Sequence, residues 1–204
     1  MIVSDSEEAR LLAAKTIRSG NILAFRTDTF YGLGVDPLNQ TALRTLRELK
    51  GREEQKPILL LISDQEIIDE FLGRHPPLFD EIARKHWPGP LTLIGPARSE
   101  LPLELTSGTG TIGIRLPADR SLRSLLRDCG GALTATSANP SGSAPARTAK
   151  DVEGYFPNGV SLIVDSGDAA IAEPSTVLDL SGEKPRLVRE GVIRRAALGD
   201  VLID

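Results

Sequence analysis

Cysteine is almost absent from the sequence, which contains Cys129 and no other cysteine among its 204 residues. A lone cysteine excludes an intrachain disulfide, and it also excludes a metal cluster built on several thiolates. Disulfides are common in secreted proteins and rare in the reducing cytoplasm. The cysteine content therefore predicts a cytoplasmic protein.

Long hydrophobic runs are absent as well. The longest uninterrupted apolar run covers residues 58–62, whereas a helix needs about 20 apolar residues to cross a bilayer. The chain becomes charged at Asp5, which is unlike the basic and then apolar start of a secretory signal. We therefore expect neither a signal peptide nor a membrane partner.

Aromatic residues are also scarce, and acidic residues outnumber basic ones. Aromatic residues make up 4% of the chain, the formal net charge is −4 and the pI is about 5.3. Few side chains are therefore available for stacking on bases, and the acidic total disfavours non-specific coating of nucleic acid. These totals remain compatible with a local basic cleft.

What the sequence does contain is an ordinary globular composition, 40% hydrophobic and 25% charged. A compact chain of this length buries enough apolar surface to fold without metal ions or disulfides. No internal repeat, low-complexity segment or long polar linker divides it. We predict a single domain over residues 1–204, with its motifs between about residues 8 and 195.

Hydrophobic periodicity predicts helices that alternate with strands. Leu43, Leu46 and Leu49 recur on one face of a helix over residues 40–50, which Gly51 ends. The aliphatic run 57–62 is typical of a strand buried on both faces. The other predicted elements are a helix ending at Gly20, helices at about 64–72, 77–86, 119–128, 148–155 and 192–202, and strands at about 21–26, 91–95, 112–116, 132–136, 161–165, 175–180 and 186–189. The predicted fold class is α/β, an open mixed sheet with flanking helices.

Common signatures of nucleotide, nucleophile and metal sites do not fit this sequence. The patterns G-x-x-x-x-G-K-[ST] and G-x-S-x-G do not occur. Residues 108–113 match G-x-G-x-x-G, but they run into a predicted strand instead of opening a helix, as a dinucleotide site requires. His75 and His86 lack the spacing of zinc ligands. No metal-ligating residues are predicted.

Basic residues instead gather where predicted elements end. Lys50, Arg52 and Lys56 place three cations within seven residues, which suits a polyanion such as triphosphate. For Lys50 alone, interaction with the helix dipole is an alternative explanation. Arg115 interrupts an apolar strand, where a buried charge needs a partner or a ligand carboxylate.

Four polar segments follow the same pattern. Residues 27–34 combine hydroxyls with Gly32 and Gly34, which let a ligand approach the backbone closely. Residues 136–142 are rich in hydroxyls and amides, and residues 174–176 and 189–191 open and close strands. Each segment alone is equally explained as an ordinary turn. Together they favour binding and polarising an anionic substrate over hydrolysis by an acid–base pair.

In this order, these segments resemble the YrdC-type threonylcarbamoyl-AMP synthase family. The resemblance rests on residues 27–34 (TDTFYGLG), 50–52 (KGR) with 56–57 (KP), 87–92 (WPGPLT), 114–117 (IRLP), 137–139 (SAN) with 141–142 (SG), 174–177 (PSTV) and 189–191 (REG). The K-x-R and S-x-N elements are its most specific parts. Arg26 departs from the family, which usually has proline there, and Leu61 stands where some two-domain members have a histidine.

The resemblance implies a fold, a reaction and partners. The fold is YrdC-like, a twisted mixed sheet around a deep basic cavity. L-threonine, bicarbonate (or CO2) and ATP would give threonylcarbamoyl-AMP and pyrophosphate in a nucleotidyl transfer, with Mg2+ held mainly by the ATP phosphates. The product would serve threonylcarbamoylation of an adenosine in tRNA. That tRNA would be bound either by this chain or by the downstream transfer proteins.

The resemblance also implies roles for individual residues by their position in the motifs. Lys50 and Arg52 would be the catalytic residues, which neutralise phosphate oxygens. Threonine would be contacted by Thr29, Arg115, Ala135 and Ser175. ATP would be contacted by Lys50, Arg52, Lys56, Thr111, Ser137, Asn139, Pro145 and Arg189.

Two other functions stay open on the sequence alone. The first is a non-catalytic RNA-binding module that holds a phosphate backbone in the same cavity, for which salt-dependent tRNA binding without pyrophosphate release is expected. The second is a paralogous enzyme that activates a different carbamate or carboxylate. Pyrophosphate release with serine or other amino acids in place of threonine would identify that enzyme.

Overall fold

The structure, a computed structural model, describes residues 1–51, 58–169 and 173–198. Its strands are β1 (Ile2–Ser4), β2 (Leu23–Arg26), β3 (Tyr31–Gly34), β4 (Leu59–Ile62), β5 (Leu91–Pro96), β6 (Thr111–Arg115), β7 (Ala132–Ser137), β8 (Leu162–Asp165), β9 (Thr176–Asp179) and β10 (Arg186–Arg189). Its helices are α1 (Glu7–Arg18), α2 (Gln40–Lys50), α3 (Ile68–Phe71), α4 (Pro77–His86), α5 (Leu103–Thr106), α6 (Arg120–Asp128), α7 (Ala149–Tyr155) and α8 (Arg195–Leu198).

These strands form one mixed sheet in the order β1-β8-β2-β3-β7-β4-β6-β5-β9-β10. The pairs β1/β8, β2/β8, β4/β6 and β5/β9 are parallel. The pairs β2/β3, β3/β7, β4/β7, β5/β6 and β9/β10 are antiparallel. The predicted α/β fold with an open mixed sheet is therefore confirmed.

Most predicted elements are confirmed, with ends that differ by a few residues. The helix predicted over 40–50 is α2, which begins where the Asn39 side chain accepts the Ala42 N–H and ends at Gly51 in the left-handed region (φ 54°). The helix predicted at 64–72 is wrong in kind, because a 3-10 turn, Gln65–Ile67, precedes the single turn α3. Of the helix predicted over 192–202, the described residues contain α8.

The strand β3 is missing from the sequence prediction, which placed its residues in a polar turn. Gly34 pairs with Leu23 of β2, and a Cβ at Gly34 would come within 2.5 Å of the Thr134 carbonyl oxygen and 2.8 Å of Phe25 Cε1. The close approach of the neighbouring strand and of the Phe25 ring therefore requires glycine here. Because glycine usually weakens a strand, the sequence pattern indicated a turn. The short elements β1 and α5 were not predicted either.

The two faces of the sheet are covered to different extents. Because side chains alternate between faces, Leu60, Leu93, Ile114 and Leu178 share one face, and each is fully buried. This face packs against α2, α4 and α7. On the other face, α1 and α6 bury a separate apolar cluster that occupies only part of the surface. We call the remainder of that second face the open floor; its members Leu59, Ile94, Ala135 and Val177 are all half-buried.

In the parts of the chain that the structure describes, none of the helices is both long and apolar enough to span a bilayer.

Cys129, which follows α6, is expected to be nearly inert as a nucleophile. Burial, together with the neighbouring Asp128 carboxylate, raises the pKa of its thiol from 9.0 to about 12. Because the thiolate is the reactive form, alkylation or disulfide exchange at pH 8 should be about 1,000-fold slower than in the unfolded chain. Reaction with a chromogenic disulfide reagent, followed in native buffer and in concentrated urea, measures this ratio. Equal rates in the two solutions would contradict the buried environment.

Candidate active site

The open floor is lined by small side chains at the centre of the sheet. Cross-strand register places Ala135 of β7 beside Leu59 of β4, and Gly113 of β6 beside Ile94 of β5. Ser137 continues the same face of β7 and is exposed although its strand is central in the sheet. Ala135 has a small side chain, whereas the space above Gly113 is bounded by Thr92 Cγ2, Ile94 Cγ1 and Leu59 Cδ1, which lie 3.3–3.7 Å from the position of a Cβ. A partly apolar surface with a few polar groups is typical of a ligand site.

Arg115 ends β6 on this face and is 2% exposed. Its Nη2 lies 3.0 Å from Oδ1 of Asp28, which belongs to the turn between β2 and β3. Within the described residues, the Arg115 Nε and both Asp28 carboxylate oxygens are buried without a hydrogen bond of acceptable geometry. The two charges compensate each other, but their hydrogen-bonding capacity is not used up.

The electrostatics around Arg115 favour an added anion. Burial lowers the pKa of the Arg115 guanidinium, the Asp28 carboxylate raises it, and the positive charge of Arg189 lowers it further. Arginine nevertheless stays charged at any ordinary pH. A desolvated cation with a second cation nearby and one carboxylate beside it is stabilised by another negative group. This environment is chemically suited to a carboxylate, and the predicted role of Arg115 in binding one stays a prediction.

The turn that carries Asp28 is fixed by two threonines. Thr27 Oγ1 accepts the N–H groups of Thr29 and Phe30, each at 3.2 Å, and donates to the Phe30 carbonyl at 2.7 Å. The Thr29 hydroxyl lies 3.1 Å from the Thr27 hydroxyl, and both residues are buried. This network holds the backbone of the turn, so the position of Asp28 is set before any ligand binds.

Ser175 and Arg189 lie at the β9–β10 side of the open floor. Ser175 is 3% exposed, and its Oγ lies 3.0 Å from Oγ1 of Thr92. Arg189 is paired with Val177 across the strands, and its Nη2 donates to the Ser175 carbonyl at 2.9 Å and to the Ser175 hydroxyl at 3.2 Å. Burial of the guanidinium lowers the pKa of Arg189. This cluster places a hydroxyl and a second arginine near Arg115.

Lys50 contacts the end of β7 and the turn that follows it. It is 7% exposed, and its Nζ donates to the carbonyl of Ser137 at 2.6 Å and to the carbonyl of Asn139. In return, the Ser141 hydroxyl donates to the Lys50 carbonyl at 3.2 Å. These bonds tie the end of α2 to the turn over residues 137–141. They are a more specific role for Lys50 than interaction with the helix dipole.

Asn139 organises the same turn with its side chain. Its Nδ2 donates to the carbonyls of Pro140 and Ser143, at 3.0 and 2.7 Å, whereas its Oδ1 is buried without a donor among the described residues. Pro145 is half-buried and precedes Ala146, whose N–H donates to the Ala138 carbonyl. The Asn139 Oδ1 therefore stays available as an acceptor, while hydrogen bonds hold the backbone around it.

The remaining predicted residues divide into two groups. Thr111 begins β6, four residues before Arg115, so the two lie about 13 Å apart along the strand. The Thr111 hydroxyl lies 2.9 Å from that of Thr109. Arg52 and Lys56 lie outside the described residues. The roles assigned to these residues and to the other predicted site residues stay predictions.

Asp28 is the site residue that the sequence prediction left out. It belongs to the polar segment 27–34, but the sequence analysis assigned it no role. The available signal was the prediction that Arg115, a buried charge in a strand, needs a partner. Asp28 lies in the turn between β2 and β3, so the fold was required to identify it as that partner.

The chain is similar to a known protein family and to several named proteins. A protein-family model described as "Sua5_yciO_yrdC: Telomere recombination" matches residues 15–191. A protein of Thiobacillus denitrificans named threonylcarbamoyl-AMP synthase is 40% identical over 168 residues, which are 82% of this chain and 89% of that protein. A Pyrococcus abyssi protein of the same name is 34% identical over 180 residues, 88% of this chain and 53% of that protein.

Solved structures agree with the fold. The crystal structure of P. abyssi Sua5 complexed with L-threonine superimposes with a TM-score of 0.93 at 32% identity, covering 98% of this chain and 60% of that one. The chain thus spans about three fifths of that protein. E. coli YciO matches with a TM-score of 0.84 over 94% of this chain and 95% of its own, at 23% identity, which shows a shared fold alone.

Proposed function

Because the chain belongs to the Sua5/YciO/YrdC family, we propose that it is a threonylcarbamoyl-AMP synthase. The reaction would join L-threonine, bicarbonate (or CO2) and ATP into threonylcarbamoyl-AMP and pyrophosphate. The observation that carries the proposal is Arg115, a buried cation with unused hydrogen-bonding capacity on a partly apolar face of the sheet. An amino acid that presents a carboxylate and a short side chain matches that arrangement.

Threonine is proposed to lie on the open floor. Its α-carboxylate would accept hydrogen bonds from Arg115, in a bidentate arrangement that suits a guanidinium. The buried hydroxyls of Ser175 and Thr29 would serve the polar groups of the ligand, and Ala135 leaves the space that the ligand occupies. The bound L-threonine in the P. abyssi relative supports this choice of substrate.

ATP is proposed to lie at the edge of the sheet where β7 ends and β6 begins. Ser137 is exposed there, and the Asn139 Oδ1 lacks a donor, so both can bond polar groups of the nucleotide. Thr111, Pro145 and Arg189 would complete the contacts. Lys50, with Arg52 and Lys56 from the sequence motif, would provide the positive charge for the phosphates.

The proposed chemistry needs orientation and charge neutralisation. The amino group of threonine first adds to CO2, or to bicarbonate with loss of water, and gives N-carboxythreonine. Its carboxylate then attacks the α-phosphorus of ATP, and the bond to the leaving pyrophosphate breaks. Both reactants are anions, so cations that offset repulsion and stabilise charge on the leaving group lower the barrier. No residue needs to form a covalent intermediate.

Mg2+ is proposed to enter with the nucleotide. This ion prefers oxygen ligands, keeps several waters and often takes most of its other ligands from substrate phosphates. In residues 1–51, 58–169 and 173–198, no group of three or more Asp, Glu, His or Cys side chains could hold a metal ion together. Asp28, the carboxylate on the open floor, is paired with Arg115. The ion would neutralise phosphate charge, and the protein would orient the phosphates.

Mass spectrometry tests the proposed function directly. The protein is mixed with ATP, Mg2+, bicarbonate and L-threonine, and threonylcarbamoyl-AMP is sought together with pyrophosphate. Both products should appear, and both should vanish when threonine is omitted. Replacing threonine with serine tests the alternative that the chain is a paralogous enzyme that activates a different carbamate or carboxylate. Salt-dependent tRNA binding without either product would instead establish the RNA-binding module.

The product is proposed to leave for tRNA modification in the cytoplasm. A mixed anhydride of a carbamate and a phosphate is an activated acyl donor, so its natural use is transfer of the threonylcarbamoyl group to a nucleophile. We place that transfer on downstream proteins that modify an adenosine of tRNA, as the family resemblance implies.

Arg52→Ala is expected to slow threonine-dependent pyrophosphate release by about 10- to 100-fold, because a hydrogen bond to a charged group contributes about 1.5–3 kcal/mol. Thermal unfolding should stay at the wild-type temperature. Arg74→Ala, which removes an exposed arginine between α3 and α4, serves as the matched control. Near-wild-type release by Arg52→Ala would show that the proposed phosphate position is wrong.

A further inference from the structure

The proposed role of Arg115 in binding a carboxylate does not explain why the buried Asp28 carboxylate accepts no hydrogen bonds from the described residues. Its side chain is 11% exposed, it lies 3.0 Å from the Arg115 guanidinium, and neither of its oxygens has a hydrogen bond of acceptable geometry among the described residues. A carboxylate that served only as counter-ion would be expected to accept hydrogen bonds from the guanidinium in good geometry. Asp28 is instead an acceptor with both oxygens unused.

The covalent geometry of an α-amino acid fits this pair. The amino nitrogen and the carboxyl carbon are bonded to the same Cα and lie about 2.5 Å apart. A group that binds the amino end must therefore lie directly beside the group that binds the carboxylate. Asp28 and Arg115 have opposite charges and the required separation.

The charge balance of the site supports the same arrangement. Arg115 and Arg189 carry two positive charges near the single negative charge of Asp28. A zwitterionic amino acid adds one charge of each sign, so both members of the buried pair gain an opposite partner. The site keeps one net positive charge, which is favourable for the phosphates that follow.

We propose that Asp28 recognises the amino group of the amino acid substrate, accepting its N–H hydrogen bonds while Arg115 holds the α-carboxylate. This inference rests on the proposed function. The carbamate formed from the amine keeps one N–H, so Asp28 retains a donor after carboxylation. Thr27 and Thr29 hold the backbone of the turn, and the Asp28 carboxylate already lies 3.0 Å from Arg115 before the substrate arrives. Asp28 thus selects amino acids over other hydroxy acids with the same carbon chain.

The test compares two ligands on two proteins. Titration calorimetry measures binding of L-threonine and of 3-hydroxybutanoate, which lacks only the amino group. The wild type should prefer threonine by about 10- to 100-fold, the worth of a charged hydrogen bond. Asp28→Asn should lose most of this preference. Asp64→Asn, which changes an aspartate paired with Arg127 after β4, should keep it.

Each outcome has a definite meaning. If the wild type does not bind threonine, the proposed function is wrong and this inference is wrong with it. If the wild type binds threonine but Asp28→Asn weakens both ligands equally, Asp28 is only a counter-ion for Arg115. Should Asp28→Asn not fold, a crystal structure of the wild type with L-threonine decides. The amino nitrogen must then lie within about 3.2 Å of an Asp28 oxygen, and any other partner overturns the inference.

Discussion

Arg115→Met is expected to lower the free energy of unfolding by about 3–5 kcal/mol, because it leaves the Asp28 carboxylate buried without its counter-ion. The same change should reduce threonine-dependent pyrophosphate release about 1,000-fold or more, since two charged hydrogen bonds to the substrate carboxylate are lost. Urea denaturation measures the first effect and steady-state kinetics the second. Methionine is chosen because it keeps the length and apolar volume of the arginine side chain.

Adding a second substitution to Arg115→Met distinguishes its effect on stability from its effect on activity. In Arg115→Met/Asp28→Asn both charges are absent, so more than half of the lost stability should return while the activity stays as low as in the single variant. A double variant as unstable as Arg115→Met would show that the ion pair at 3.0 Å does not account for the stability of this region. Recovery of activity would show that Arg115 does not bind substrate.

The regular parts of the fold could be predicted because local pattern determines them. The leucine repeat and Gly51 define α2, and the alternation of apolar residues defines β5 and β6. The order of the strands could not be predicted in the same way. β3 pairs with β7 through Leu33 and Thr136, and residues so far apart in the chain leave no signal in either segment. The glycines of β3 even indicated a turn, because the reason for them lies in neighbouring strands.

The sequence predicted many of the residues of the candidate site, but only part of how they contact one another. The argument that a charge inside an apolar strand needs a partner identified Arg115 from the sequence alone. Its partner Asp28 comes from a turn that is distant in sequence and required the fold. For Lys50, the sequence predicted a contact with phosphate, with the helix dipole as the alternative, whereas its Nζ donates to the carbonyls of Ser137, the last residue of β7, and Asn139. The residue types therefore indicated which groups are charged and need partners, but they did not indicate which residues those partners are.

Lys50→Met is the second substitution for which we expect a large effect. The change removes the donor to the carbonyls of Ser137 and Asn139. These two residues lie in the turn that is proposed to contact ATP. Each buried acceptor left without a donor costs about 1–3 kcal/mol, and the turn should also lose its fixed position. We expect pyrophosphate release to fall by at least about 100-fold, with a raised KM for ATP.

Lys15→Met is the matched control for this result, because Lys15 is exposed and also lies in the last turn of a helix. Interaction with a helix dipole contributes only about 0.3–1 kcal/mol. If the dipole were the whole role of Lys50, the two variants would show the same small loss of stability and nearly unchanged kinetics. If Lys50 instead holds the turn and the phosphates, only Lys50→Met should change the KM for ATP. The difference between the two variants is therefore the quantity to measure, by thermal unfolding and by ATP titration of pyrophosphate release.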